Sequence, residues 1–264
     1  MQHHTTLLVS VDGMRPDGIL KADTPNMKRM IAEGASTLTA RTVMPSITLP
    51  CHSSMIRGVD VPRHGITSNN FQPIARPVPS LLDVAHRGGK RTGFFFNWGE
   101  LRDLCDPGSL DVGCFLQDAF RHEGDIRVAD VAITQLLEHP FDLLFVYLGH
   151  TDESGHMHGW MTEEYLAAIS NADKCIGRVL EACNSVGTTT SLVLSDHGGH
   201  GQSHGTEMSE DMTIPWILSG AKAKPCHQIA TQVRIFDTTP TLAHLLGLSQ
   251  AREWEGKIIE EALV

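Results

Sequence analysis

The chain has 264 residues, 41% of them hydrophobic and 20% charged, with a formal net charge of -10. That composition describes a globular protein with a sizeable core, and its negative balance argues against a nucleic-acid backbone or an anionic membrane as the main partner. No apolar run approaches the ~20 residues of a membrane span, and no basic leader with a cleavage site precedes the first apolar run, so a cytoplasmic protein is expected.

Short apolar runs at 7–11, 93–96, 143–148, 192–195 and 214–218 read as buried parallel strands. Helical patterns lie between and after them at 24–33, 50–56, 80–86, 126–138, 163–183 and 239–246. Strands alternating with helices imply an α/β fold, a mostly parallel central sheet with helices on both faces. The stretch 71–79 holds Pro73, Pro77 and Pro79 and reads as a surface loop, and 103–118 reads as irregular. Neither is long enough to divide the chain, so one catalytic domain over 1–264 is expected. The six cysteines are scattered without a C-x-x-C pair, which suits reduced thiols.

Histidine is the unusual residue. There are 15, as many as Phe, Trp and Tyr together, and six fall between His150 and His204. Four junctions after apolar runs carry metal-ligating residue types. The first run ends in Asp12. The fourth ends in Asp196-His197 followed by glycines. After the third, Asp152 and His156 are four apart, so one helical turn or a tight loop puts both on one side. His204 sits in a glycine-rich loop seven positions after His197. Three carboxylates and three imidazoles form a mixed N/O set that suits zinc or manganese. The ends of strands are where open α/β sheets keep their ligands.

The stretch from Met44 to His52 offers an attacking group. Pro50 near the start of a helical pattern makes Thr48 an N-cap, with its hydroxyl beside free backbone N–H groups and the positive helix end. A threonine hydroxyl attacks well only when a base or metal activates it.

Together the segments VSVDGMRPD, PSITLPCHSSMIRG, HGITSN, DESGH, SDHGG and QSHGT make the chain resemble the alkaline phosphatase superfamily, most closely its type I phosphodiesterase / nucleotide pyrophosphatase branch. The resemblance implies an alkaline phosphatase-like fold and two divalent metal ions, usually Zn2+, with Mn2+ an alternative. It implies one metal on Asp152, His156 and His204, and a second on Asp12, Asp196, His197 and the Thr48 oxygen. Thr48 would be the nucleophile of a phosphoryl-threonine intermediate. Asn69 would donate to a non-bridging phosphate oxygen, with help from the Leu49 N–H. By the same likeness Trp98 would line the substrate pocket. His150 and His200 are expected to orient neighbours or to be ordinary core and loop residues.

Three departures bear on specificity. Leu49 stands where the branch often has an aromatic residue, Cys51 where Asn is common, and the short path from His197 to His204 leaves little chain for a nucleoside-binding lid. The expected function is therefore a two-metal phosphodiesterase or pyrophosphatase acting on a small phosphate ester. The alternatives are a phosphomonoesterase, a phosphonoacetate hydrolase-like C–P hydrolase on the same metals, and a catalytically inactive metal-binding domain. A sulfatase is disfavoured by the missing Cys/Ser-x-Pro-x-Arg motif. A cofactor-independent mutase would need a serine nucleophile and a large inserted domain.

Overall fold

A computed structural model describes residues 3–70, 72–106 and 108–264; Phe71, at the start of the expected proline-rich loop, lies outside them. Eight strands among the described residues form one sheet: β1 (His4–Val11), β2 (Ala35–Arg41), β3 (Thr92–Phe96), β4 (Val112–Phe115), β5 (Leu143–Leu148), β6 (Thr188–Leu194), β7 (Thr213–Gly220) and β8 (His227–Gln228), ordered β4-β3-β5-β1-β6-β7-β2-β8. The helices are α1 (Pro16–Lys21), α2 (Pro25–Glu33), α3 (Thr48–Arg57), α4 (Val61–His64), α5 (Leu81–Arg87), α6 (His122–Glu138), α7 (His150–His158), α8 (Glu163–Val186), α9 (Ser209–Met212) and α10 (Thr238–Leu245).

The sheet is mostly parallel and lies between two helical layers, as the strand–helix alternation implies. Successive strand residues point to opposite faces. Leu7, Val9 and Val11 of β1 pack with α1, α2, α6 and α8, whereas Leu8 joins α3, α5 and α10 on the other face. One expectation needs correction: 214–218 is not parallel. β7 runs antiparallel to both β6 and β2. A strand apolar on both faces has the same pattern in either direction, so the run itself carried no sign of its polarity.

The register places the site. Val11 pairs with Leu148 of β5, and Ser10 with Leu194 of β6. The residues following these strands therefore emerge side by side at one edge of the sheet, with β1 in the middle. No helix among the described residues is long and apolar enough to cross a membrane. All six cysteines are free thiols.

Candidate active site

Asp12 emerges from β1, and its N–H continues the ladder by donating to the Leu148 carbonyl at 3.0 Å. The chain then turns at Gly13, whose φ is +64°; a Cβ there would stand 2.8 Å from Asp152 Oδ1. Only glycine combines that left-handed conformation with so close an approach of the Asp152 carboxylate. Asp152 and His156 share one face of α7, and His156 Nε2 lies 3.3 Å from Asp152 Oδ2. Asp196 and His197 follow β6, where the Gly13 N–H donates to Asp196 Oδ1 at 3.2 Å.

The three histidines converge by the same device. His197 Nδ1 donates to the Gly198 carbonyl at 2.8 Å, His156 Nδ1 to Gln202 at 3.0 Å, and His204 Nδ1 to Ser46 at 2.8 Å. A carbonyl only accepts, so each imidazole carries a proton on Nδ1 and turns Nε2 toward the cluster. Those Nε2 atoms face carboxylates and one another. His197 Nε2 is 3.3 Å from both Asp12 Oδ1 and Asp196 Oδ2, His204 Nε2 is 3.6 Å from Asp152 Oδ1, and the Nε2 atoms of His156 and His204 are 3.2 Å apart. Among the described residues, two groups have ligand atoms close enough to hold a cation: Asp152 with His156 and His204, and Asp12 with Asp152 and His197. By distance Asp152 belongs to both.

The donor set fits divalent cations. Asp12 Oδ1, Asp152 Oδ1 and Asp196 Oδ2 are buried without a hydrogen-bond partner. Buried unpaired carboxylate oxygens are costly unless a cation or proton meets them. Burial, then the neighbouring Asp196 and Asp152, push the Asp12 carboxyl well above its usual range, although the Tyr147 hydroxyl donates to it. Burial also acts on Asp152 and Asp196, but adjacent imidazoles outweigh it and hold both below the usual range. The hydrogen bond to Asp152 raises His156 to about 9, while burial and then His197 lower His204 to about 4.

Thr48 stands differently from expectation. The N-cap of α3 is Ile47, in extended conformation, and Thr48 is the first helical residue. Its hydroxyl makes no capping bond and lies 3.3 Å from His197 Nε2. The Leu49 N–H is not free either: it donates to Asn69 Oδ1 at 3.0 Å. A backbone N–H can face only the oxygen of that amide, so Asn69 presents its Nδ2 hydrogens outward. The Leu49 N–H at this helix end is thus taken up by Asn69.

Three contributors were not singled out in the sequence. His52, one helical turn after Thr48, donates from Nδ1 to the Thr48 carbonyl at 2.9 Å, accepts from Ser10 Oγ at 2.9 Å, and lies 3.3 Å from Asp196 Oδ2. Its i,i+4 spacing from Thr48 was a signal that could have found it. Tyr147 is hidden in an apolar strand and reaches Asp12 from β5. The third, Asp211, holds the loop between His197 and His204.

Beside the site, Asp125 is fully buried at the start of α6 and accepts from Asn97 Nδ2 at 2.8 Å and from the His150 N–H at 3.3 Å, which ties down the first turn of α7. His150 Nδ1 donates to the Ala119 carbonyl at 3.3 Å, so it serves this scaffold. Burial raises Asp125 to about 7. A carboxyl raised in the folded state contributes stability that is full below its unfolded pKa and is lost as pH rises through about 7. Asp125→Asn is uncharged at every pH. It is expected to melt several degrees above the parent at pH 8 and at or below it at pH 5, a swing of a few kcal/mol. Thermal unfolding at the two pH values checks this; an equal offset at both would refute it.

The sequence model for type I phosphodiesterase / nucleotide pyrophosphatase matches residues 6–80, and that for the metalloenzyme superfamily matches residues 116–250. Ectonucleotide pyrophosphatase/phosphodiesterase family member 7 of Rattus norvegicus is 25% identical over 220 residues, covering 75% of this chain and 50% of the relative. The chain spans half or less of the length of the curated relatives it matches. Among solved structures, murine ectonucleotide pyrophosphatase/phosphodiesterase 5, an inactive variant in complex with AMP, superposes with a TM-score of 0.84 at 16% identity, covering 99% of this chain and 100% of that one. A mutant of the alkaline phosphatase PafA superposes with a TM-score of 0.87 at 11% identity, covering 98% and 99%. At such identities the likeness concerns the fold.

Proposed function

The chain belongs to the metalloenzyme superfamily of alkaline phosphatase-like proteins, on its type I phosphodiesterase / nucleotide pyrophosphatase branch, and from that membership we propose that residues 1–264 form one catalytic domain that hydrolyses a small phosphodiester or pyrophosphate through Thr48. The observation that carries this reading is the convergence of three imidazole Nε2 atoms and three buried carboxylates beside a threonine hydroxyl. Asp152, His156 and His204 would hold one divalent cation, and Asp12, Asp196, His197 and Thr48 the other. Zinc suits this N/O set best, with manganese second. Bound there, the cations supply positive charge that favours the ionised hydroxyl and neutralises the phosphoryl and leaving oxygens.

The chain's own groups define the rest. Thr48 Oγ, giving up its proton, attacks phosphorus opposite the leaving oxygen; the new O–P bond forms as that P–O bond breaks, so Thr48 carries the phosphoryl group with its remaining substituent, and the departing oxygen takes a proton and leaves as an alcohol or nucleotide fragment. Water then attacks the same phosphorus, the bond to Thr48 breaks, and the hydroxyl is restored. Asn69 Nδ2 donates to a non-bridging oxygen throughout, its amide held by the Leu49 N–H. Such a preorganised donor does most where charge develops. His52 holds the Thr48 carbonyl and so the first turn of α3. Solvent reaches the site beside His156, which is half-exposed, whereas His197 and Asp196 are sealed.

The free thiols fit a reducing compartment, so a cytoplasmic enzyme acting on a small molecule is part of this reading. The test is a turnover panel with defined zinc or manganese: bis-p-nitrophenyl phosphate, p-nitrophenyl phosphate, a nucleotide sugar and phosphonoacetate. We expect diester or pyrophosphate kcat/KM to exceed monoester kcat/KM by at least about tenfold. A preference for the monoester or for phosphonoacetate would replace the reaction class. No turnover of any of them with both metals would leave a binding domain.

A further inference from the structure

The loop from Gly198 to Gly205 contains four glycines, and packing demands at least two of them. A Cβ on Gly199 would stand 2.2 Å from the Trp160 ring, and one on Gly198 would stand 2.0 Å from the Glu210 carbonyl oxygen. Glycine backbone loses the most conformational freedom on ordering. A loop that must be glycine-rich to fit is therefore poorly suited to hold His204 by itself, and its order has to come from its surroundings.

Asp211 supplies it. The residue is fully buried at the junction of α9 and β7. Oδ1 accepts from His200 Nδ1 at 2.7 Å, and Oδ2 accepts from the Thr206 N–H at 2.9 Å and from Thr206 Oγ1 at 2.7 Å. Its own carbonyl accepts from the Gly198 N–H at 2.8 Å. One residue thus grips the outgoing limb at Gly198 and His200 and the returning limb at Thr206, while His200 and Ser203 close the tip by exchanging backbone hydrogen bonds of 2.9 Å. From the opposite side Ser46, two residues before Thr48, donates from Oγ to the Thr206 carbonyl at 2.8 Å and accepts from His204 Nδ1 at 2.8 Å. The His204 ring then stacks on His197, with centroids 3.8 Å apart.

We propose that Asp211 is a positioning residue that, through His200 and Thr206, sets the placement of His204 against Asp152 and His156 and thereby the affinity of that cation site. The proposal rests on the reading of His204 as a ligand. His197 is held by the end of β6 and by its bond to the Gly198 carbonyl, and neither uses the Asp211 side chain, so the larger effect falls on the cation assigned to His204.

The test is competition of the full chain with a chromophoric chelator for Zn2+, together with the visible spectrum of the Co2+-loaded protein. Asp211→Ala is expected to weaken one of the two equivalents by roughly 10- to 100-fold, as loss of a ligand-orienting partner does, and to leave the other within about threefold. Asp211→Asn should retain both within about threefold, because the amide oxygen still accepts from Thr206 while its Nδ2 donates to the other tautomer of His200. Thr206→Ala, which keeps the backbone donor, should weaken the same equivalent by about 3- to 10-fold and serves if Asp211→Ala does not fold. A purely structural role would lower the melting temperature and leave both affinities and the cobalt spectrum unchanged; that result overturns the proposal, as does equal weakening of both equivalents. His204→Ala separates the two readings: if it binds two cations as the parent does, the ligand assignment has failed rather than the clamp.

Discussion

Thr48→Ala is expected to lower kcat for bis-p-nitrophenyl phosphate by at least about a thousandfold, because it removes the hydroxyl proposed to form the covalent phosphoryl intermediate. The fold should barely notice. Thr48 makes no capping bond, its one side-chain polar neighbour is His197 Nε2, and the adjacent turn is held through main-chain atoms, by His52 on the Thr48 carbonyl and Asn69 on the Leu49 N–H. Cation affinity should change by no more than about tenfold, since all six carboxylates and imidazoles proposed as ligands remain. Thr48→Ser keeps a hydroxyl and should keep activity within about tenfold. Acid quenching during turnover, followed by mass spectrometry of the peptide carrying residue 48, should find a p-nitrophenylphosphoryl group on the parent and the serine variant and none on the alanine variant. Full activity of Thr48→Ala would mean that water attacks directly and that the threonine only shapes the site.

The clustering of the candidate residues was legible where spacing within the chain does the placing. Asp152 and His156 are four apart and share a helix face; Asp196 and His197 are adjacent at a strand end. What escaped is placed by tertiary structure. Tyr147 sits in the run Leu143–Leu148, where every residue is buried, and its hydroxyl finds Asp12 only because β5 pairs with β1 in a particular register. Asp211 lies in a polar stretch with no periodicity and acts on residues 5 to 13 positions earlier. The same division runs through the fold. The long amphipathic α8 was expected over 163–183 and is observed over Glu163–Val186. β2 escaped because ASTLTAR is half polar and becomes a strand through pairing with β7 and β8, and β4 because four alternating residues lie in a stretch otherwise irregular. α7 has almost no apolar periodicity, so the choice between a helical turn and a tight loop stayed open until packing decided it.

Stripping the protein with a chelator is expected to lower its melting temperature by roughly 10 °C per site lost, and restoring Zn2+ or Mn2+ should recover it. A cation present at about a thousand times its Kd adds about 4 kcal/mol to the folded state, and a chain of this size gains about 2–4 °C per kcal/mol. The geometry gives a sharper form of the test in Asp12→Asn. In the cation-free protein Asp12 meets two neighbouring carboxylates and leaves Oδ1 unpartnered. The amide would keep an oxygen for the Tyr147 hydroxyl and turn its Nδ2 toward His197 Nε2, which is 3.3 Å from the present Oδ1. It therefore removes the cost of burying an ionisable carboxyl beside two others and fills a hydrogen-bond position toward His197 at once. Stripped Asp12→Asn should melt above the stripped parent, yet gain much less on adding zinc and end below the loaded parent. That crossing of the two melting curves is the expected signature of a carboxylate kept for a cation at the cost of apo stability. If chelation leaves the parent unmoved, or if Asp12→Asn melts lower in both states, the cluster is an ordinary buried ion-pair network and the two-cation reading falls.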